Sequence, residues 1–272
     1  VKNLKVIVIG GGPAGMLSAI SAKRQGNNVI LLEKNNRLGK KMSITGKGRC
    51  NITSSLENMS DFIANTPGNG KFLYSAFQNF TNKDILELID IPTKNERGNR
   101  VFPVSDRAED VVEALKRKLN GIEVKLETPV RHIIEKNNVA IGVETDKEKI
   151  YGDKIILATG GLSYPTTGST GDGYKMAKEL GHTIVELRPS LVALTANENS
   201  INDCIALTGL TLKNVAIKVF VDNKKVYDDF GEMLFTHFGI SGPVVLSSSA
   251  HLIRTNMKDA KFEIDLKPGL TD

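Results

Sequence analysis

Three glycines stand at the spacing Gly10-x-Gly12-x-x-Gly15, inside the run Gly10-Gly11-Gly12-Pro13-Ala14-Gly15. At a strand-to-helix turn this spacing suits the diphosphate of a dinucleotide. The first glycine permits the tight turn, the second lets the pyrophosphate reach the backbone, and the third lets the helix pack close to the strand. The helix start then offers unpaired N–H groups and a partial positive charge to the anion. Glu33 follows about 20 residues on, where an acid accepts hydrogen bonds from ribose hydroxyls. Lys34, beside it, joins the candidate cofactor contacts. An acid at that point disfavours NADP and leaves NAD and FAD open.

The elements that position these residues are legible around them. Leu4 to Ile9 is a Val/Ile-rich run, as a buried parallel strand requires. Met16, Leu17, Ala19, Ile20 and Ala22 then recur at helical spacing as far as Gly26, a C-cap signal. Asn28 to Leu32 reads as a second buried strand that ends at Glu33. Lys34 to Thr53 has little periodicity, and an irregular segment of that length is usually functional.

Residues 56–92 read as mainly helical, and Arg97-Gly98-Asn99-Arg100 as a hairpin turn. Asp106 is expected to cap a helix carrying Val111, Val112, Leu115 and Leu119, which stops at Gly121. A small antiparallel sheet is expected between Ile122 and Val143, and a buried strand at Lys154 to Leu157. From Ser190 onward short strand-like runs dominate with few helical patterns. A boundary near Arg188 therefore divides a domain at 1–188 from a mainly β domain at 189–272.

Composition narrows the class. With 40% hydrophobic and 25% charged residues, the 272-residue chain has the balance of a globular protein with real cores. Thirty-six basic residues against 31 acidic ones give a mild +5, which a diphosphate would partly use and which does not indicate nucleic acid. Cys50 and Cys204 are far apart, which excludes a disulfide framework, a zinc ribbon and a redox dithiol. No His/Cys/Asp/Glu group has metal-ligand spacing, so no metal is expected. No membrane span or signal peptide is read from the sequence, so the expected localisation is cytoplasmic.

The strand Ile155-Ile156-Leu157 ends in Ala158-Thr159-Gly160-Gly161, a motif of two-dinucleotide flavoproteins that moves the choice from NAD to FAD. Three longer segments are more specific: KNNRLGKKMSITGKGRCNIT (34–53), ATGGLSYPTTGSTGDGY (158–174) and FTHFGISGPVVL (235–246). They resemble the signature segments of a bacterial family of FAD-containing oxidoreductases, with aminoacetone-oxidase-like members, across essentially the whole chain. The resemblance implies an α/β fold: a Rossmann-like two-dinucleotide-binding FAD domain with an inserted, mainly β second domain over the flavin. It implies that Gly10, Gly12, Pro13, Ala14, Gly15 and Glu33 hold the ADP portion, with Val130 beside adenine. Ser43, Gly46, Arg49, Cys50 and Asn51 would lie along the ribityl chain and flavin, and Ala158, Thr159 and Gly160 would flank the cofactor. The family's chains run further and return to the FAD domain. This sequence stops at Leu270-Thr271-Asp272, so it is expected to lack the C-terminal part, which puts cofactor retention in doubt.

Each remaining candidate has a functional and a bland reading. Arg49 places positive charge near the flavin pyrimidine ring, or is a surface cation. His237, in the only distinctive histidine motif, is a proton donor or acceptor for substrate. Asp172 is a helix N-cap or a cofactor contact, and Cys50 is a flavin-adjacent thiol or an inert buried one. His132, His182 and His251 read as structural or surface residues, and Arg97 and Arg100 as anion ligands or solvated charges. The expected function is FAD-dependent oxidation or reduction of a small organic substrate by hydride transfer at flavin N5. A small amine and an unsaturated carbonyl compound are both open as substrate, and NAD(P)H or oxygen as redox partner. The alternatives are a fumarate-reductase- or ketosteroid-dehydrogenase-like flavoenzyme, or a non-catalytic redox-sensing or RNA-associated flavoprotein.

Overall fold

The computed structural model describes residues 3–253, 255 and 260–269, so the chain end at Leu270-Thr271-Asp272 lies outside the described residues. Two compact units emerge: Val1–Met59 with Ser75–Val185, and Ser60–Tyr74 with Glu186–Asp272.

In the first unit, β1 (Lys5–Ile9) and β2 (Asn28–Leu32) pair in parallel, with Ile7 opposite Ile30. Each buries four of its five residues, because both faces of the sheet are covered. Successive side chains point to opposite faces. Val6, Val8, Val29 and Leu31 therefore join one apolar cluster, and Ile7, Ile9, Ile30 and Leu32 another. Helices α1 (Pro13–Arg24) and α2 (Ala108–Arg117) supply Met16, Ala19, Ile20, Val111, Val112 and Leu115 to the first. The second is completed by Met176 of α3 (Asp172–Glu179) and by a separate antiparallel sheet: β7 (Val130–Lys136), β8 (Val139–Thr145) and β9 (Lys149–Tyr151).

The parallel sheet has the order β10-β1-β2-β6, where β10 is Lys154–Leu157 and β6 is Glu123–Lys125. The β6 strand corrects the expectation of an antiparallel sheet from Ile122 onward. Glu123–Lys125 pairs parallel to β2, and the antiparallel strands begin at Val130. The β10 strand lies at the sheet edge, so Leu157 is 38% exposed rather than buried. Two expected caps also differ. Asp106 sits at φ 55° and gives its carboxylate to Lys94 and Arg49, so α2 starts from Arg107 without a side-chain cap. Asp172 is the first residue of α3; Gly171, at φ 82°, takes the N-cap position because the Asp172 carboxylate bonds Lys34 and Thr170.

A three-stranded sheet of β3 (Thr53–Ser54), β5 (Arg100–Pro103) and β4 (Thr93–Glu96) flanks the irregular 34–53 segment. The turn Arg97-Gly98-Asn99 joins its two longer strands, as the sequence predicts.

The second unit is built on the long hairpin β12 (Thr211–Val221) and β13 (Lys224–Thr236). Its sheet order is β11-β14-β13-β12-β15, with β11 at Leu194–Thr195, β14 at Gly239–Ser241 and β15 at Lys261–Asp265. Besides the short α4 (Ile201–Ala206), it contains an element that the strand-dominated reading misses, α5 (Pro243–Leu252). Three serines mask its periodicity. Ser248 and Ser249 are buried because each hydroxyl donates to a carbonyl one turn back, at Val245 and Leu246. Val244, Val245 and Leu252 then pack on Val215, Ile217, Val219 and Met233.

The start of α1 depends on one backbone approach. A Cβ on Gly15 would stand 1.7 Å from the Gly10 carbonyl oxygen. Gly15→Ala should therefore destabilise the protein by about 3 kcal/mol or more, read as a lower urea midpoint.

Candidate cofactor cleft

The C-terminal residues of β1, β2 and β10 border a cleft of about 410 Å³. Ligands of open parallel sheets bind at this end. Gly10, Gly12, Pro13, Ala14, Glu33, Lys34, Val130, Ala158, Thr159, Gly160 and Asp172 all line it. The α1 terminus faces it without a side-chain cap, without an acid in the first turn, and with Pro13 in the position where no N–H is needed. A Cβ built on Gly12 meets nothing within 4 Å, so the glycine leaves a cradle that a side chain would fill. These residues fit a diphosphate.

Glu33 is 7% exposed, and its carboxylate accepts from Gly11 N–H at 2.6 Å and from both Asn35 N–H and Asn35 Nδ2 at 2.7 Å. These bonds fix the acid beside the glycine turn. Across the cleft, Ala158 N–H donates to the Ile9 carbonyl, and a Cβ on Gly10 would come within 2.5 Å of the Ala158 oxygen. The two walls thus meet backbone to backbone.

Side chains also join them. Lys34 Nζ lies 2.6 Å from both Thr170 Oγ1 and Asp172 Oδ2. Burial works against the Asp172 carboxylate, yet the Lys34 and Thr170 hydrogen bonds hold its pKa below the ordinary aspartate value. Asn35 Nδ2 donates to the Thr167 carbonyl at 3.1 Å, and Lys41 Nζ reaches Ser163 Oγ at 3.3 Å. Burial lowers the Lys41 pKa. Asn35, Lys40, Lys41, Thr128 and Thr167 are lining residues that the sequence reading missed. The lysines stood in the irregular basic segment, whereas Thr128 and Thr167 come into play only through the fold.

Other named residues lie elsewhere. Gly15 packs under the turn and does not line the cleft. Ser43, Gly46, Arg49, Cys50 and Asn51 belong to the same unit but not to the cleft lining. The Ser43 hydroxyl donates to Glu109, and Cys50 is 4% exposed with its thiol pKa raised by burial. Arg49 grips Glu96 through two nitrogens, at 2.7 and 3.2 Å, reaches Asp106 at 3.2 Å, and lies 4.1 Å over the Phe102 ring. His237 is in the second unit, exposed at the β13–β14 turn, with its ring edge-on to Phe238 at 5.1 Å. Among the described residues no metal-ligating cluster occurs and no helix is long and apolar enough to cross a membrane.

The Arg49 cluster sets an acid dependence. Hydrogen bonds from Arg49 to Glu96 and from Lys94 to Asp106 lower both carboxyl pKa values. Their stabilisation is complete above the ordinary carboxylate pKa of about 4 and disappears as pH falls through the lowered folded values. Glu96→Gln should flatten the acid limb of the stability profile and leave its shape near neutrality unchanged, measured by urea unfolding across pH.

The chain resembles known proteins over most of its length. The chain is 30% identical to the 3-dehydro-bile acid delta(4,6)-reductase of Clostridium scindens, over 98% of this chain and 65% of that protein. It is 31% identical to the ribosomal RNA dihydrouridine synthase of Haemophilus influenzae (97% and 64%) and 28% identical to that of Escherichia coli (92% and 61%). It thus spans less than two thirds of these relatives' length. Among solved structures, the open conformation of a flavocytochrome c3 fumarate reductase shares the fold at TM-score 0.55 and 19% identity, over 78% of this chain and 47% of that one. The Mycobacterium smegmatis Sdh1 complex does so at TM-score 0.51 and 19% identity, over 65% and 39%. The family described as HI0933-like protein Rossmann domain matches residues 4–243; the chain belongs to that family, and its cofactor is FAD.

Proposed function

We propose that the protein is an FAD-dependent reductase of a carbon–carbon double bond conjugated to a carbonyl group. The observation that carries the cofactor side is the convergence of the uncapped α1 terminus, the open Gly12 and the fixed Glu33 carboxylate on one cleft. The substrate class is supported by the relatives, whose names describe a delta(4,6)-reductase and a dihydrouridine synthase. Both names denote hydrogen added to an unsaturated ring.

When bound, FAD supplies two-electron chemistry, exchanging hydride at its N5 with substrate and with NAD(P)H. The protein's own residues bind and orient. Gly12, Pro13, Ala14 and the α1 terminus take the diphosphate, Glu33 the ribose, and Val130 the adenine. Lys34 and Asp172 hold the far wall, with Ala158, Thr159 and Gly160 along the cofactor. Ser43, Gly46, Cys50 and Asn51 serve the ribityl and flavin end, and Arg49, committed to two carboxylates, positions that turn. The mainly β second unit is the substrate unit, with His237 as proton donor.

Purified protein should show oxidised-flavin absorbance and release FAD on denaturation. Gly12→Ala should fold within about 1 kcal/mol of wild type, since only the cap preference changes, yet purify without flavin. Anaerobic NADH or NADPH should bleach the flavin, and an unsaturated carbonyl compound should restore its colour. Restoration by ribosomal RNA alone would assign a ring carried in RNA. Bleaching by amines, with no unsaturated carbonyl compound able to reoxidise, would sink the reductase reading. His237→Gln should slow reoxidation about 100-fold, within the range of general-acid contributions, without changing bleaching.

A further inference from the structure

The loop 161–166 belongs to the second wall of the cleft. It leaves from Gly160 and returns at Thr167, and both of those residues line the cleft. Its course is fixed by bonds to other lining residues. Lys41 Nζ, from the opposite wall, reaches Ser163 Oγ at 3.3 Å. The Tyr164 carbonyl accepts from Thr167 N–H at 2.9 Å and from Thr167 Oγ1 at 2.7 Å. The Pro165 carbonyl accepts from Gly168 N–H at 2.9 Å. Thr167 is buried, and its own carbonyl accepts from Asn35 Nδ2.

Between residues 158 and 174 the backbone takes a positive φ at four positions. Gly160, Gly168 and Gly171 lie at 77°, 98° and 82°; the fourth is Tyr164, at φ 54°, ψ 64°. Glycine adopts this conformation without the steric cost that a Cβ brings. Pro165 adds to that cost, because the residue before a proline favours extended backbone. The Tyr164 side chain is nevertheless 66% exposed, so no burial in the protein explains it. Leu162 packs toward Gly171, where a Cβ would stand 2.8 Å from its Cδ2. Tyr164 makes no ring contact or side-chain hydrogen bond among the described residues, and is the large side chain of the loop left free. A single exposed apolar residue needs no explanation. A large ring held at a left-handed position, on a loop rooted at both ends in a cleft lining, does. Strain of this kind persists where the surroundings over-determine the backbone, and it concentrates at ligand clamps.

We propose that Tyr164 is a ring-binding residue of the cleft: its phenol stacks on a flat ring of the bound dinucleotide, adenine or isoalloxazine, and slows release of the cofactor. Stacking asks only for a π face on the ligand, so it adds to the diphosphate and ribose contacts without bringing another charge. Thr167 and Lys41, which hold the loop, are then positioning residues for the ring. The inference rests on the reading of this cleft as the FAD site.

The test uses FAD-loaded protein with Tyr164→Asn, Tyr164→Gly and Tyr164→Phe, and reads the rate of FAD release on dilution and the emission of the bound flavin. Asparagine and glycine both accept the left-handed backbone and both remove the ring. Each should release FAD about tenfold faster, the scale of one base stacked on an aromatic side chain. Tyr164→Phe should release at the wild-type rate, because the ring and not the hydroxyl makes the contact. Faster release with brighter emission would assign the stacked ring to isoalloxazine, whose excited state a phenol quenches. Faster release with unchanged emission would assign it to adenine. A wild-type release rate in Tyr164→Asn, or a Tyr164→Phe variant as fast as Tyr164→Asn, would overturn the proposal. Wild-type protein that purifies without flavin absorbance would overturn the cofactor reading of the cleft as well, and is recognised by that missing absorbance.

Discussion

The Gly10 carbonyl oxygen occupies space that any side chain at position 15 would need. This contact brings the first turn of α1 down onto the end of β1. The helix terminus then stands beside the ends of β2 and β10, and its unpaired N–H groups face the cleft instead of bulk water. The remaining cleft geometry follows from it. Gly12 leaves open space beside the α1 terminus, Gly11 is near enough to donate to Glu33, and Gly10 fits against the Ala158 carbonyl.

Charge in the first unit is distributed between holding the fold and holding ligand. Lys34 is neutralised by Asp172 and Arg49 by Glu96 and Asp106, so these cations brace walls and turns. The α1 terminus, by contrast, has no side-chain cap and no acid in its first turn. The cleft's positive character comes from the backbone dipoles there together with Lys40 and Lys41, whose ammonium groups bond only a neutral amide and a hydroxyl. Those dipoles are fixed by the helix and need no reorganisation on binding.

The strand–turn–helix–strand unit was legible because each step has a local cause: β1 and β2 are Val/Ile/Leu runs, the helix repeats at 3.6 residues, and Glu33 closes the unit. The Arg97–Asn99 turn was legible for the same reason. What failed did so through tertiary competition. Asp106 and Asp172 have the chemistry of caps, but cations from distant segments claim both carboxylates. Glu123–Lys125 is too short to reveal a parallel partner nearly 100 residues earlier, and serines in α5 conceal an apolar face by bonding their own backbone. The partners of Arg49, Glu96 and Asp106, are likewise not displayed beside it in the sequence.

The cleft walls come from opposite ends of the first unit. The β10 strand pairs with β1 across about 148 positions of chain, Lys34 meets Asp172 across 138, and Asn35 meets Thr167 across 132. Contacts this distant in sequence are paid for in loop-closure entropy and form late. During synthesis, then, the glycine turn leaves the ribosome well before residues 154–176, which complete the second wall of the cleft. The cleft is therefore complete only when the first unit's most distant segments have paired.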